Sequence, residues 1–404
     1  MAKQPKIRFK GFTEEWKEAP LGQLVKEHRV SNQFVHHQNL LSLSYGKIVR
    51  RDIHANKGLL PASFDTYQII DKDTIVFRVT DLQNDKKSLR VAISGEEGII
   101  SPAYVCVDTA SEEISASFLH QILHFHDVIT KIYYKMGDGL RQTLNYSDLK
   151  SLNIIFPNLD EQKVIAGFFD SIDSTITRRE NELEKLRNIK RALLEKIFPQ
   201  DGQFIPAIRF RGFEEKWDPT VLGQKIKEIN RKNANSTAPI MMIAAGNGFI
   251  YQSDRYSFNN AGKSLQQYIV LNRNELAYNH GASKLHPYGC CYALLSEDSA
   301  RIPYVYHCFS TTCCPEFLST ILNERESEDQ LRKLISSGAR MDGLLNISFE
   351  AYSSISLNLP KIPEQEKIAK LVNSLNKTIS LRERQITLLR HSKQALLEQM
   401  FVNE

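Results

Sequence analysis

The sequence predicts an α+β chain with a pseudo-two-fold internal repeat, in which two mixed lobes alternate with two long helices that pair as an antiparallel coiled coil. Three observations carry this. A motif near the start returns about halfway along the chain. Each copy is followed, far downstream, by a matching heptad series of apolar residues. The segments in between hold short strand-like runs broken by turn residues.

The repeat comes first because self-similarity decides architecture. Pro5-Lys6-Ile7-Arg8-Phe9-Lys10-Gly11-Phe12 recurs as Pro206-Ala207-Ile208-Arg209-Phe210-Arg211-Gly212-Phe213. Trp16 returns as Trp217, and these are the only 2 tryptophans; Leu21-Gly22-Gln23 returns as Leu222-Gly223-Gln224. The ends of the halves match as well: Glu161-Gln162 with Glu364-Gln365, and Ala192-Leu193-Leu194-Glu195 with Ala395-Leu396-Leu397-Glu398. About 130 residues per half show little similarity between these ends, so the frame repeats and the filling does not. A repeat built only for stacking would repeat its core throughout.

The first lobe opens with a predicted amphipathic helix over 21–29. Strand-like runs follow at 68–70, 74–79 and 103–107, a helix at 117–134, and a last strand at 153–157. The second lobe repeats the order: a helix over 222–229, strands at 240–244, 268–271, 289–295 and 355–359, and a helix at 315–322 that resumes at 328–335.

Each half ends in a long helix. Asn158-x-x-Glu161 resembles a capping box, Pro363 suits a first helical turn, and Pro199 with Asp201-Gly202 stops the first helix. Helices of ~38–40 residues, roughly 55–60 Å long, are expected. Their seams are Ile165, Phe169, Ile172, Ile176, Leu183, Leu186, Leu193 and Ile197 in the first, and Ile368, Val372, Leu375, Ile379, Ile386, Leu389, Leu396 and Met400 in the second. The interruptions repeat too. Arg179 matches Arg382 and Lys190 matches Lys393, either fixing register or passing their aliphatic stems across the seam. The boundaries drawn are 1–158 for the first lobe, 159–199 for the first spacer helix, 200–361 for the second lobe with a linker at 200–205, and 362–404 for the second spacer helix.

Composition narrows the function. With 52 basic and 47 acidic residues the net charge is only +5, which excludes a polycation; a nucleic-acid reader would need local clusters. Cys106, Cys290, Cys291, Cys308, Cys313 and Cys314 contain no Cys-x-x-Cys, so no metal site is expected and buried reduced thiols are. No signal peptide and no membrane-spanning run is evident, giving a cytoplasmic expectation. Phosphate-binding Gly-rich loops, the Asn/Asp-Pro-Pro-Tyr/Phe signature of amino-methyltransferases, and hydrolase and zinc-protease motifs are missing, which favours binding over catalysis.

In the first lobe, Tyr45, Lys47, Arg50, Arg51, Arg78, Asn84, Lys86, Lys87, Arg90 and Arg141 are candidate DNA contacts. Cations and backbone N–H groups hold phosphates, while Arg and amide groups read base edges. The second lobe offers Asn247, Lys263, Asn279, His280, Lys284 and Arg340, although a lone His280 is more often an ordinary surface or core histidine. The glycine-bearing loops 137–143 and 338–343 sit at matching places before the last strand, either as ligand-approach loops or as simple turns.

The ordered motifs resemble the specificity subunits of type I restriction–modification enzymes over essentially the whole chain. Their carriers are Pro5 to Phe12 with Trp16 and Leu21-Gly22, Asp71-Lys-Asp-Thr-Ile-Val-Phe77, Gly98-Ile-Ile-Ser-Pro-Ala-Tyr104, Leu159-Asp-Glu-Gln162, and their second-half counterparts. The resemblance implies that each lobe is a target recognition domain reading one half of a bipartite, asymmetric double-stranded DNA site, and that the coils set the gap. It implies two methyltransferase subunits docked on the coils and two restriction subunits in the full complex. It places S-adenosylmethionine, ATP and Mg on those partners, and neither catalysis nor cofactor on this chain. The alternatives are a structural coiled-coil adaptor, or a methyltransferase or nuclease with divergent motifs.

Overall fold

A computed structural model describes residues 4–54, 60–80, 89–136, 143–200, 202–233, 235–256, 262–335 and 345–402. The chain divides into two compact units, residues 1–181 with 383–404, and residues 182–382.

The first unit begins with β1 (Lys17–Pro20), the single turn α1 (Leu21–Leu24), β2 (Val25–Glu27), β3 (Val30–Ser31), β4 (Leu41–Ser44) and β5 (Lys47–Arg50). Next come β6 (Gln68–Ile70), β7 (Ile75–Arg78), β8 (Val91–Ile93), β9 (Gly98–Ile100) and β10 (Tyr104–Thr109). The helices α2 (Ala116–Phe125), α3 (Ile132–Met136) and α4 (Tyr146–Lys150) precede β11 (Asn153–Phe156) and the long α5 (Leu159–Ile197). Strands β2-β10-β7-β8 form one sheet, β3-β6-β9 a second, and β4-β5 a hairpin; β1 pairs with β11 and ties the start of the lobe to its end.

The second unit repeats this layout with different residues. After β12 (Asp218–Val221) come β13 (Ile226–Glu228), β14 (Met241–Ala244), β15 (Gly248–Tyr251), β16 (Ile269–Asn272) and β17 (Leu276–Asn279). Then follow β18 (Cys290–Ala293), β19 (Ser299–Ile302), β20 (His307–Thr311), α6 (Pro315–Leu322), α7 (Arg325–Leu334), α8 (Phe349–Ser353), β21 (Ser356–Leu359) and α9 (Ile362–Met400). Its four-stranded sheet is ordered β13-β20-β17-β18, its hairpin is β14-β15, and β12 pairs with β21. Topology therefore repeats where sequence does not.

Two helices expected at the lobe entrances are corrected. Residues 21–29 form one turn and then β2, with Val25 opposite Thr109; residues 222–229 form a 3₁₀ turn, Leu222–Gln224, and then β13. Pairing with the edges of β10 and β20 overrides the local amphipathic pattern. The helix expected over 117–134 is broken: α2 continues into a π-turn, His126–Thr130, which ends at Lys131 in the left-handed region (φ 55).

The frame motifs turn out to be joints. Arg8 grips Glu161 through two hydrogen bonds of 2.7 Å, and Arg209 grips Glu364 in the same way; both carboxylates are at most 1% exposed. Asn158 Oδ1 accepts from the Glu161 N–H, as in a capping box, but the Glu161 carboxylate goes to Arg8 and not back to the cap. Gln162 accepts from Ser115 N–H and Gln365 from Cys314 N–H, so each glutamine holds the residue that caps α2 or α6.

Within each unit the end of one long helix packs against the beginning of the other. In the first, Phe401 meets Phe169, Lys393 meets Asp173 at 2.8 Å, and Arg390 meets Glu180 at 2.6 Å; partner numbers fall as the others rise, the signature of antiparallel pairing. In the second, Ile197 and Phe198 share a core with Ile368 and Val372. Every seam residue named from the heptads is buried or half-buried. The polar seam residues differ in their use. Lys393 pairs with Asp173 on the opposite helix, whereas Lys190 lies near Glu324, the residue preceding α7. Arg179 and Arg382 are half-buried, and both have partners.

Each lobe core is organised round its tryptophan: Trp16 against Phe118 and Phe401, Trp217 against Phe198 and Phe317. Five of the six cysteines are buried, and burial pushes the Cys106 and Cys290 thiols up to about 12, which makes them inert. No group of residues that could hold a metal occurs among the described residues, and no described helix is long and apolar enough to cross a membrane.

Candidate nucleic-acid interface

Strands β4 and β5 are joined by Tyr45-Gly46, both at positive φ (49 and 74). This is the geometry of a two-residue type I′ hairpin, whose twist matches that of the strands. A Cβ on Gly46 would lie 2.8 Å from the Leu89 side chain, so glycine is required there. The turn leaves the Tyr45 side chain 72% exposed. Beside the hairpin is a cleft of about 380 Å³, lined by Ser42, Ser44, Tyr45, Arg51, Arg78 and Tyr104 among others. Of the residues named from the sequence, the fold thus brings together Tyr45, Arg51 and Arg78. The cleft serines and Tyr104 were not foreseen; alternation of Leu41-Ser42-Leu43-Ser44 before Tyr-Gly is the signal that marks them as one face of a hairpin.

The neighbouring cations are committed within the protein. Arg50 is held by Glu96, which raises the guanidinium and keeps the Glu96 carboxyl below its usual range. Lys47 donates to Thr177 and to Glu180 on α5 at 3.1 and 3.0 Å. Burial works against ionisation of Glu180, but its bonds to Lys47 and Arg390 hold it below the ordinary carboxylate range. Arg90 is a correction. It is 1% exposed, donates to the Thr80 carbonyl at 2.6 Å, and its backbone N–H meets the Asp127 carboxylate, so it supports the lobe interior and cannot meet DNA. Burial raises Asp127 to about 6 despite that contact. Asn84, Lys86, Lys87 and Arg141, with most of loop 137–143, lie outside the described residues.

The second lobe carries a counterpart hairpin whose three-residue loop, 245–247, holds Asn247 exposed beside Gly246 (φ 85). Asn279 ends β17 and its Oδ1 accepts from Gly281 N–H at 3.0 Å. Lys284 is exposed. His280 is a correction: it is 8% exposed, and its ring nitrogens face the Leu345 and Val305 carbonyls at 2.8 and 2.6 Å, a strut between segments. The Lys263 side chain, Arg340 and loop 338–343 lie outside the described residues. Gln252, absent from the sequence candidates, stands directly after β15.

The arrangement offers a β-ribbon, guanidinium groups and hydroxyls on a concave face, and in the second lobe amides, which suit base-edge and phosphate contacts better than any covalent chemistry. Residues 13–188 match the family described as type I restriction modification DNA specificity domain. The fold is shared with the crystal structure of the type I restriction-modification S subunit from M. genitalium, at 14% identity and a TM-score of 0.63, covering 99% of this chain and 100% of that one. The HsdS subunit from Thermoanaerobacter tengcongensis aligns at 16% identity over 99% of each chain, with a TM-score of 0.40. Residues 13–188 thus carry a type I restriction modification DNA specificity domain, and the chain as a whole shares the fold of the M. genitalium S subunit.

Proposed function

We propose that the two lobes read the two halves of a split, asymmetric DNA site, and that α5 and α9 set the gap and dock the methyltransferase subunits. The observation that supports this best is the contrast between frame and filling. The Arg–Glu and Gln joints recur, as does the order of the four-stranded sheet, while the paired strands of the two hairpins share no residue at matched positions. A shared frame with different readers suits an asymmetric target. The helix α5 has 39 residues, or about 58 Å at 1.5 Å each, longer than the ~34–36 Å between successive major-groove faces. The chain serves as the non-catalytic, cytoplasmic DNA-reading part of the complex. Methyl transfer with S-adenosylmethionine, and ATP- and Mg-dependent translocation and cleavage, belong to two methyltransferase and two restriction subunits. Mapping adenine methylation in a host carrying the complete system tests this. A bipartite site is expected, and exchange of residues 1–158 for another lobe should change one half only. Methyl transfer by the purified chain alone, or a site indifferent to lobe exchange, would overturn the proposal.

A further inference from the structure

The two lobes place different side chains at equivalent points of the same topology. The N–H of Arg51, one residue past β5, donates to the Leu40 carbonyl at 2.8 Å; the N–H of Gln252, one residue past β15, donates to the Ile240 carbonyl at 3.0 Å. Arg78 is the last residue of β7 and Asn279 the last of β17, in sheets of identical strand order. Arg51 and Arg78 of the first lobe thus correspond to Gln252 and Asn279 of the second. An arginine fork matches the O6/N7 edge of guanine, and a side-chain amide matches the N6/N7 edge of adenine. We infer that the lobes read different purines at corresponding positions of their half-sites, guanine through Arg51 with Arg78 and adenine through Gln252 with Asn279.

Three features favour a base over a phosphate. Tyr45 and Tyr104 border the cleft and suit a planar ring. The serine hydroxyls of the cleft accept as well as donate, which a phosphate, being acceptor-only, does not need. The second lobe puts neutral amides where the first puts cations, and amides add no charge to a phosphate contact. Asn279 keeps an amide N–H₂ and a second Oδ1 lone pair beyond its bond to Gly281. Arg50 is the internal control, since it lies outside the cleft lining and is held by Glu96.

The inference rests on the half-site reading above. Its test is methylation mapping of the complete system with the wild-type chain, R51Q, R51Q/R78N, R50Q and the reciprocal Q252R. R51Q/R78N should turn one G·C position of the first half-site towards A·T, R51Q alone should relax it, and the preference at stake should be roughly 5- to 150-fold. Q252R should move one A·T position of the other half-site towards G·C, and R50Q should change nothing. The half-site left untouched in each variant reports that the chain still folds and docks. If R51Q/R78N fails to assemble, R51Q and Q252R decide, because both lie on the hairpin flanks outside the core. An unchanged base preference overturns the inference, as does uniform weakening with a salt slope reduced by about one in binding measurements on the purified complex, the mark of a phosphate contact. A wild-type chain directing no bipartite methylation would instead sink the half-site reading itself.

Discussion

At the residue scale, the buried ion pairs Arg8–Glu161 and Arg209–Glu364 explain why the opening motif and the coil opening occur twice. Removing one partner of such a pair strands a buried charge, which costs about 3–5 kcal/mol. Arg8→Ala should therefore lower the stability of the first unit by that order, as read by denaturation followed through Trp16 in a Trp217→Phe background. Arg8→Lys should recover only part, because an ammonium cannot reproduce the two-point fork. Titration separates the units. Burial drives His120 and His126 down to about 4, and His124 also well below its ordinary value. The unfolded chain takes up protons on all three from about pH 6.5, the folded chain on His120 and His126 only near 4, so their stabilisation is lost as pH falls through that window. Asp127, raised by burial to about 6, acts in the opposite sense but is one group against three. In the second unit burial raises Glu324 to about 7, so its contribution is lost as pH rises from about 4.5 to 7, while the lowered His307 runs the other way. Between pH 7 and 5 the thermal midpoint reported by Trp16 should fall clearly more than that reported by Trp217. Equal shifts would contradict the assignment.

At the element scale, the hairpin β4–β5 and the end of α9 carry the sharpest consequences. Gly46→Ala combines a left-handed φ with a clash on Leu89. It should disturb recognition at the first half-site and leave the second intact in a methylation map. Phe401 lies against Trp16, Phe118, Phe125 and Phe169. Truncating a buried phenylalanine costs about 3–5 kcal/mol, so Phe401→Ala should destabilise the first unit and shift Trp16 emission while Trp217 is unaffected. The long helices were legible from their heptads because apolar spacing survives any tertiary context. The short entrance strands β2 and β13 were not, since three residues carry too little pattern to outweigh a helical propensity, and only pairing with β10 and β20 makes them strands.

For the whole molecule, the spacer role proposed for α5 and α9 rests on their length of 39 residues each. Deleting residues 176–182 and 379–385 keeps the heptad phase of both helices and shortens each by about 10 Å. The gap in the methylated site should change while both half-sites keep their bases; a shortened chain that methylates the original site would refute the spacer. Exchange of one lobe is the complementary test, altering bases and keeping the gap.

By itself the sequence determined the repeat, the boundary between frame and filling, the coil seams and the family resemblance, because these reside in periodicity and in motifs held in order along the chain. Charge and residue type alone did not separate Arg51 from Arg50 or Arg90. Tertiary structure decided that Glu96 occupies Arg50, that Arg90 is walled into the lobe, that His280 is a strut, and that Arg51 and Arg78 share one cleft. The reason is physical. A cation's availability depends on which carboxylate or carbonyl the fold brings within about 3 Å of it, and that distance is set by strand pairing between residues far apart in sequence.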